Sequence, residues 1–254
     1  MSHAISILPI VPIRKLPSHR SEMVSQLLFG EAVTVMGEED HFLNVITGSD
    51  HYEGWIHKGQ LLMIDAEACK RTGRFTSGFV TDIIVNGQLV RIPYGCEMVN
   101  MKSDPNTVPE IIYTPDVKGN DFIGMQPFSA EALQTVSRTY LNTPYLWGGR
   151  SVFGIDCSGF TQQVFRFFGV NLQRDAYLQV RQGKEVNDPS KARTGDLAFF
   201  NNEEGKVVHV GIVLTPGKII HASAWVRTDS FTDEGIFHQG TRTHQLHSIR
   251  RLVE

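Results

Sequence analysis

The chain has 254 residues, of which 41% are hydrophobic and 20% are charged. This composition is typical of a globular protein whose length allows one sizeable core or a few smaller ones. The net charge is −3, and the 24 Lys and Arg residues are scattered among 27 Asp and Glu residues. No long basic run is available to bind nucleic acid or an anionic membrane surface, so we expect neither as a partner.

The N-terminal segment contains a short apolar run that Pro9 and Pro12 interrupt, and charged residues follow this run instead of preceding it. That order differs from the order in a secretory signal peptide. No other window approaches the roughly 20 apolar residues that a membrane-spanning helix requires. We therefore expect a cytoplasmic location.

The cysteines and the C-terminal histidines lack the spacing of a metal site. Cys69, Cys96 and Cys157 lie far apart and form no C-x-x-C pair, which argues against a disulfide framework or a zinc site. The histidines near the C-terminal end also match no compact zinc motif: His238, His244 and His247. We predict no metal and no other cofactor.

Short β-rich segments with turn signals begin near residue 22. We predict strands at 27–31, 32–36 and 42–46, with a turn at 37–40 between the last two. Segments of this kind with regular turns predict a small β-barrel that ends near residue 64.

A second run of the same kind covers about residues 73–99 and contains an Asn86-Gly87 hairpin signal. It predicts a second, shorter barrel. The proline-rich segment 103–109 predicts an extended connection, and we place the main boundary near Pro127.

The sequence pattern changes to helices after this boundary. Ser129 is a candidate N-cap for a helix to Leu141, whose apolar face would carry Leu133, Val136, Tyr140 and Leu141. A second helix is predicted to begin at Cys157 and to stop at Gly169. The remaining segments predict strands at 197–200, 207–214, 218–223 and 249–253. Helices followed by an antiparallel sheet give an α+β class for this half.

A glycine-rich loop at 143–150 and the segment 154–160 place Cys157 in the first turn of the second helix. The unpaired N–H groups and the helix dipole there favour a thiolate, which is the form that acts as a nucleophile. The alternative is that Cys157 is a small buried hydrophobic residue. The loop and the helix start favour the nucleophile.

His209 faces away from the apolar side of its predicted strand, and His221 follows on the next strand across a turn at 215–217. Because strand faces alternate with period two, the two histidines share a face only if paired positions sum to an even number, as with a three-residue loop. We predict that register. His221 would then hydrogen-bond to His209 and fix its ring.

Residues 129–254 resemble the NlpC-type family of papain-like cell-wall peptidases. Its motifs recur here in order as Pro-Tyr-x-Trp-Gly-Gly at 144–149, Asp-Cys-Ser-Gly-Phe at 156–160, Gly-Asp-Leu at 195–197, then His209 and His221. The resemblance implies a papain-like fold in which helices pack on an antiparallel sheet. It implies that Cys157 is the nucleophile, His209 the base and then the acid, and His221 the orienting group. The backbone N–H of Cys157 and the Tyr145 hydroxyl would stabilise the oxyanion.

The N-terminal half resembles the bacterial SH3-like domains that precede this catalytic domain in enzymes cutting γ-D-glutamyl–diamino acid bonds. We therefore assign residues 1–64 to an SH3-like domain, 65–126 to a second, shorter one plus a linker, and 127–254 to the peptidase domain.

The same resemblance implies that Glu22, Tyr52 and Asp156 hold the free α-amine of an N-terminal L-alanine, with Glu31 as the competing candidate for Glu22. It also assigns Ser158 and Asp175 to substrate binding. Where the family often has Arg-Asp-Ser, this chain has Arg-Asp-Ala at 174–176, which leaves Asp175 either a substrate ligand or a structural residue.

The expected substrate is a free murein tripeptide or tetrapeptide whose γ-D-glutamyl–diamino acid bond is hydrolysed in peptidoglycan recycling. The alternatives are a catalytically silent peptide or cell-wall binding protein, and an amidase or acyltransferase on the same scaffold. The intact set of Cys157, His209 and His221 favours the peptidase. The preferred diamino acid and the oligomeric state stay open.

Overall fold

The structure is a computed structural model that describes residues 2–65, 69–101, 111–112 and 122–253. Its internal contacts divide the chain into two units. Unit 1 comprises Met1–Met125 and Trp147–Val152, and unit 2 comprises Gln126–Leu146 and Phe153–Glu254. The predicted domain limits of 1–64, 65–126 and 127–254 stay predictions.

The first part of unit 1 is a seven-stranded antiparallel sheet in the order β3-β2-β6-β5-β4-β1-β7. Its strands are Ser2–Ile5 (β1), Ile10–Arg14 (β2), Met23–Leu28 (β3), Ala32–Glu39 (β4), Phe42–Thr47 (β5), Glu53–His57 (β6) and Leu62–Ile64 (β7), with a 3₁₀ turn at Lys58–Gln60. Its core consists of Ala4, Val11, Ile13, Leu27, Val33, Leu43, Val45 and Ile56. The strands begin earlier than predicted, because Pro9 lies between β1 and β2 and Pro12 is accommodated within β2.

The turn predicted at 37–40 is wrong in position. β4 continues to Glu39, and a two-residue turn at Asp40 and His41 joins it to β5. Gly37 lies where the β4–β5 register shifts, and Asp40 has a φ of +52°. A glycine in a strand often marks a bulge, and Asp tolerates the left-handed conformation, so the same residues fit both patterns.

The second part of unit 1 contains two three-stranded sheets, β10-β9-β12 and β11-β8-β13. The strands are Cys69–Thr76 (β8), Val80–Val85 (β9), Gln88–Pro93 (β10), Glu97–Met101 (β11), Ile111–Ile112 (β12) and Phe122–Gly124 (β13). The predicted hairpin is confirmed, since Val85 pairs with Gln88 and both turn residues have positive φ. The predicted connection at 103–109 lies outside the described residues.

One apolar cluster joins the two parts of unit 1. Leu28 and Phe29, at the end of β3, pack with residues of the smaller sheets: Ile83, Val85, Ile92 and Cys96. Unit 1 also includes a short strand, Arg150–Ser151 (β14).

Unit 2 places helices before a sheet, as predicted. The helices are Ala130–Arg138 (α1), Cys157–Arg166 (α2) and Ala176–Gln179 (α3), with a 3₁₀ turn at Pro189–Lys191. The strands are Gly154–Ile155 (β15), Lys184–Glu185 (β16), Leu197–Asn201 (β17), Val207–Thr215 (β18), Lys218–Ser223 (β19), Trp225–Thr232 (β20), Gly235–His238 (β21) and Thr241–Arg251 (β22). Within the described ranges, no helix is long and apolar enough to cross a membrane.

The two predicted helix starts are confirmed. The Ser129 hydroxyl accepts a hydrogen bond from the Ala132 N–H at 3.1 Å, and α2 begins at Cys157. Leu133, Val136 and Tyr140 are buried as predicted. Leu141 is 39% exposed because α1 ends at Arg138, so that residue no longer follows the helical face.

The sheet of unit 2 closes on itself. It runs in the order β16-β22-β17-β18-β19-β20-β21, and β22 also pairs with β21. The long strand β22 uses its first half for β21 and its second half for β17. The helix α2 packs against β18 and β19, which places the first turn of that helix beside both predicted histidine strands.

Candidate active site

Cys157 is the first residue of α2 and is 6% exposed. The Asp156 carboxylate caps the helix by accepting a hydrogen bond from the Gly159 N–H at 2.7 Å. The backbone N–H groups of Val210 and Ser158 hydrogen-bond to the Cys157 sulfur. Because Val210 follows His209 on β18, the thiol lies against the strand that carries the predicted base.

The helix start favours a thiolate at Cys157, but the burial of the side chain opposes this. Burial raises the pKa of Cys157 to about 12, and the Asp156 charge adds to this. The backbone N–H of Val210, the charge of Arg174 and the Ser158 N–H act in the opposite direction without overcoming burial. This balance favours the protonated thiol, so Cys157 needs a base to act as a nucleophile.

The predicted histidine register is confirmed. Ile212 pairs with Ile220 and Val213 with Ile219, so paired positions sum to an even number. The connection differs from the predicted three-residue loop, because Thr215 pairs with Lys218 and the register shifts between Val213 and Thr215. A bulge of this kind adds one residue to one strand, which restores the even register.

A hydrogen-bonded chain runs from His209 through His221 to a carboxylate. His209 Nε2 lies 2.8 Å from His221 Nδ1, and His221 Nε2 lies 3.0 Å from Asp229 Oδ2. All three side chains are buried. The sequence predicted the first contact but missed Asp229, which lies on β20. Its strand returns through a tight turn at Ala224, whose φ is +60°, and alanine is not a residue that signals such a turn.

The surroundings of His209 and His221 favour the neutral form of both imidazole rings. The pKa of His209 lies well below its ordinary value of 6.5, first because of burial and then because of His221, His244 and Arg227. Burial also lowers the pKa of His221 to about 4, although Asp229 opposes this. A neutral imidazole can accept a proton, so His209 has the protonation state that a general base requires.

His244 on β22 completes a group of three histidines with His209 and His221, whose nitrogen atoms lie within 4.8 Å of one another. The rings of His244 and His209 stack at 4.2 Å and 26°, and His209 is already hydrogen-bonded to His221. An imidazole nitrogen binds a metal ion in the plane of its ring. Because the His209 and His244 rings are stacked, their nitrogens do not point toward one shared ion. Of the other two histidines noted in the sequence, His238 hydrogen-bonds to Asp229 and His247 hydrogen-bonds to Ser248.

Asp156 and Ser158 are both bound by Arg174, a contact that the sequence did not reveal. The Arg174 guanidinium is 2% exposed, and it donates to both Asp156 carboxylate oxygens, at 3.1 and 2.5 Å. It also donates to the Ser158 hydroxyl at 2.9 Å. The Arg174–Asp156 ion pair holds the residue that caps α2. The substrate roles of Asp156 and Ser158 stay predictions.

Tyr145 has its phenol near Cys157. Burial, followed by the charges of Cys157 and Asp156, raises the pKa of Tyr145, so the hydroxyl stays protonated and can donate a hydrogen bond. Asp175 occupies the N-cap position of α3 and hydrogen-bonds to Tyr177. The predicted oxyanion role of Tyr145 and the predicted substrate role of Asp175 stay predictions.

The glycine-rich segment Trp147–Val152 is held within unit 1. Arg150 donates to the Glu31 carboxylate at 2.7 and 3.0 Å and to the Gln26 carbonyl at 2.7 Å. Gly148 has a φ of +76°, and a Cβ there would lie 2.6 Å from the Met23 carbonyl oxygen. The loop therefore requires glycine, and Glu31 anchors it.

The two acidic candidates of unit 1 differ in their surroundings. Glu31 binds Arg150 and also accepts from the Leu28 N–H at 2.9 Å. The exposed Glu22 accepts from Trp147 Nε1 at 2.8 Å and pairs with Lys15 at 3.4 Å. Tyr52 is half-buried, and its backbone bonds to Thr47. The Glu31 side chain is 11% exposed and is engaged by Arg150, whereas the Glu22 side chain is 42% exposed. Glu22 therefore offers the more accessible carboxylate.

Two family models match the chain in this order. Residues 13–61 match the "Bacterial dipeptidyl-peptidase Sh3 domain". Residues 142–245 match the "NlpC/P60 family". The chain is 32% identical over 217 residues to a protein named gamma-D-glutamyl-L-lysine dipeptidyl-peptidase from Bacillus subtilis (strain 168), which covers 78% of this chain and 71% of that relative. This chain belongs to the NlpC/P60 family.

A protein of the same name from Bacillus cereus is 26% identical over 231 residues, covering 81% of this NlpC/P60 chain and 68% of the relative. A crystal structure of a NlpC/P60 family protein from Bacillus cereus ATCC 10987 aligns over 100% of both chains with a TM-score of 0.81 and 20% identity. The resemblance drawn from the sequence is thereby confirmed. The fold is a papain-like NlpC/P60 domain preceded by an SH3-like domain.

Proposed function

We propose that this chain is a cysteine peptidase that hydrolyses the bond between the γ-carboxyl group of D-glutamate and a diamino acid. The observation that carries the proposal is the buried chain in which His221 hydrogen-bonds to His209 beside the thiol of Cys157. A thiol at a helix start, a neutral imidazole and an orienting group are the parts that acyl transfer by a cysteine nucleophile needs.

Acylation follows from this arrangement. His209 Nε2 is bonded to His221, so its other nitrogen, Nδ1, takes the Cys157 proton while the sulfur attacks the γ-carbonyl carbon. The Cys157 N–H and the Tyr145 hydroxyl stabilise the oxyanion. When the tetrahedral intermediate collapses, the C–N bond breaks and Nδ1 returns the proton to the leaving amine of the diamino acid.

Deacylation uses the same base. Water loses a proton to His209 Nδ1 and attacks the thioester, the C–S bond breaks, and the proton returns to the Cys157 sulfur. The products are the diamino acid peptide and a dipeptide that ends in D-glutamate. Because burial raises the pKa of the Cys157 thiol and lowers that of His209, we expect proton transfer to His209 to accompany the attack on the carbonyl.

The substrate class is supported by the two Bacillus relatives, whose names specify a γ-D-glutamyl-L-lysine dipeptidyl-peptidase. Release of a dipeptide requires that the enzyme recognise the N-terminal end of its substrate. A peptide amine is an ammonium ion, which binds a carboxylate, and Glu22 offers an exposed carboxylate that Trp147 holds in place. We extend the proposal to free murein peptides with an unblocked L-alanine.

A preference for a free amine suits peptides that have already been released from the wall, where the L-alanine is otherwise acylated. On this basis we propose a role in peptidoglycan recycling and a cytoplasmic location. Fractionation of the native organism's cells and immunoblotting of the full chain test the location. Recovery in the medium or the wall fraction would contradict it.

The test of activity is mass spectrometry of L-Ala-γ-D-Glu-L-Lys and of the meso-diaminopimelate analogue, each with a free or an N-acetylated amine. Wild-type protein should release L-Ala-D-Glu from the free-amine peptides only, and Cys157→Ala should release none. Cleavage of the acetylated peptides at an equal rate would retain the peptidase and overturn the recycling role. Cleavage of no peptide would overturn the proposed activity.

A matched pair of variants tests the role of Glu22. Glu22 and Glu38 are both exposed unit 1 carboxylates that pair with a lysine, with side-chain exposures of 42% and 51%. Glu22→Gln should raise KM for the free-amine peptide, while Glu38→Gln should leave it unchanged. Equal KM values for both variants would remove Glu22 from amine recognition.

A further inference from the structure

Asp229 is the point at which three side chains of unit 2 converge. Its Oδ2 atom lies 3.0 Å from His221 Nε2 and 2.8 Å from Arg227 Nε, and its Oδ1 atom lies 2.8 Å from His238 Nδ1. The residue is 7% exposed. We propose that Asp229 is a positioning residue that fixes the tautomers of His221 and His209, and so determines which nitrogen of His209 acts as the base. This inference rests on the proposed function.

The tautomers follow from the order of donors and acceptors. An ionised carboxylate only accepts hydrogen bonds, so the neutral His221 ring must carry its proton on Nε2. Its Nδ1 then holds a lone pair and accepts from His209. The proton between the two rings therefore belongs to His209 Nε2, and His209 Nδ1 is left with the lone pair that takes the proton from Cys157.

Asp229 is held in the form that this order requires. Desolvation alone would raise its pKa, but the hydrogen bonds from His238, His221 and Arg227 bring it to about 2. Arg227 is itself fixed by a hydrogen bond to the Ser223 carbonyl and by the Trp225 ring, which lies 4.8 Å away. The carboxylate therefore stays charged and oriented across the pH range in which a base can act.

Asp229 also acts during the reaction through His221. When Nδ1 of His209 gains the thiol proton, the ring becomes a cation, and its Nε2–H bond to His221 strengthens. The negative charge of Asp229 increases the electron density on His221 Nδ1, which makes that nitrogen a stronger acceptor for the His209 Nε2–H. A carboxylate behind a metal-bound histidine contributes about 10- to 100-fold to activity, and we expect an effect of that size here.

Two substitutions separate the carboxylate's acceptor role from its bulk. Asp229→Leu keeps the size but removes every acceptor, so His221 loses its fixed tautomer. Asp229→Asn can keep its carbonyl oxygen toward His221 and Arg227 while its amide donates to His238, so it should preserve the tautomer. Asp196→Leu is the matched control, because Asp196 is a second buried carboxylate bound by an arginine, Arg251, at 2.7 and 2.8 Å.

Imidazole ¹⁵N–¹H correlation spectra of the full chain read the tautomers directly. The wild type and Asp229→Asn should show a protonated Nε2 on both His209 and His221, and Asp229→Leu should show a mixture on His221. Asp196→Leu should keep the wild-type pattern even if it lowers stability. A wild-type His221 protonated on Nδ1 would overturn the proposal.

Alkylation of Cys157 by iodoacetamide at neutral pH measures base function without a peptide substrate. Asp229→Leu should slow alkylation about 10- to 100-fold, and Asp229→Asn should recover most of the rate. Unchanged alkylation in a folded Asp229→Leu protein would overturn the proposal, as would an equal loss in Asp196→Leu. If wild-type protein shows the expected tautomers and alkylation but cleaves no peptide, only the proposed substrate fails.

Discussion

The buried ion pair between Arg174 and Asp156 supports the start of α2, and replacing Arg174 with methionine tests this directly. Arg174 donates hydrogen bonds to both Asp156 carboxylate oxygens and to the Ser158 hydroxyl, and only 2% of its surface is exposed. Methionine fills similar space but leaves the Asp156 charge buried without its partner. Removing one member of a buried pair costs about 3–5 kcal/mol, which is a large share of a typical free energy of unfolding.

The double variant supplies the control. In Asp156→Asn with Arg174→Met neither member of the pair carries a charge, and asparagine can still cap α2. The double variant should therefore be more stable than Arg174→Met alone, since neutral replacements of a buried pair are often tolerated. The Arg174→Met substitution should also change the reactivity of Cys157. The charge of Arg174 lowers the pKa of that thiol, so its loss should slow alkylation of Cys157.

The free energy of unfolding should be followed by urea titration together with hydrogen-exchange mass spectrometry of peptides from α2. The second measurement assigns the loss to unit 2, because a chain of two units need not unfold in one transition. Arg174→Met within about 1 kcal/mol of the wild type, or a double variant whose loss equals the sum of the two single losses, would refute the reasoning.

Three further changes test the site. The loss of kcat/KM in acid should have its midpoint below pH 6.5, because burial lowers the pKa of His209 and keeps the ring neutral until the pH is lower. A midpoint at or above 6.5 in the pH–rate profile would contradict this. Gly211→Ala should lower kcat about tenfold or more, because a Cβ there would lie 2.9 Å from the His221 Cβ. Gly37→Ala is the control and should leave kcat unchanged, because a Cβ at that position meets nothing within 4 Å. His244→Phe should keep the ring stacked on His209 and retain kcat, and His244→Ala should lower it; equal values would mean that the stack does not hold the base.

Local patterns in the sequence predicted the parts of the fold that local chemistry decides. Ser129 caps α1, Cys157 begins α2, and the Asn86-Gly87 turn forms its hairpin. The shared face of the two histidines was also predictable, because strand alternation leaves only two choices of register. In each case a few neighbouring residues determine the outcome.

The contacts that the sequence did not reveal depend on how separate elements of unit 2 pack together. Arg174 binds Asp156 from beyond the far end of α2, and Asp229 reaches His221 through a turn that carries no glycine or asparagine. The protonation state of Cys157 is difficult to predict from the sequence for a related reason. The helix start is a local feature, whereas burial, which dominates the pKa, is set by the strands packed against that helix.

The identity of the nucleophile and of the bond it attacks is tested most directly by trapping the acyl-enzyme. Wild-type protein mixed with L-Ala-γ-D-Glu-L-Lys, quenched in acid and digested should yield one peptide that carries an L-Ala-γ-D-Glu acyl group on Cys157, and Cys157→Ala should yield neither adduct nor product. Product release by Cys157→Ala, or an adduct on another residue, would contradict the account.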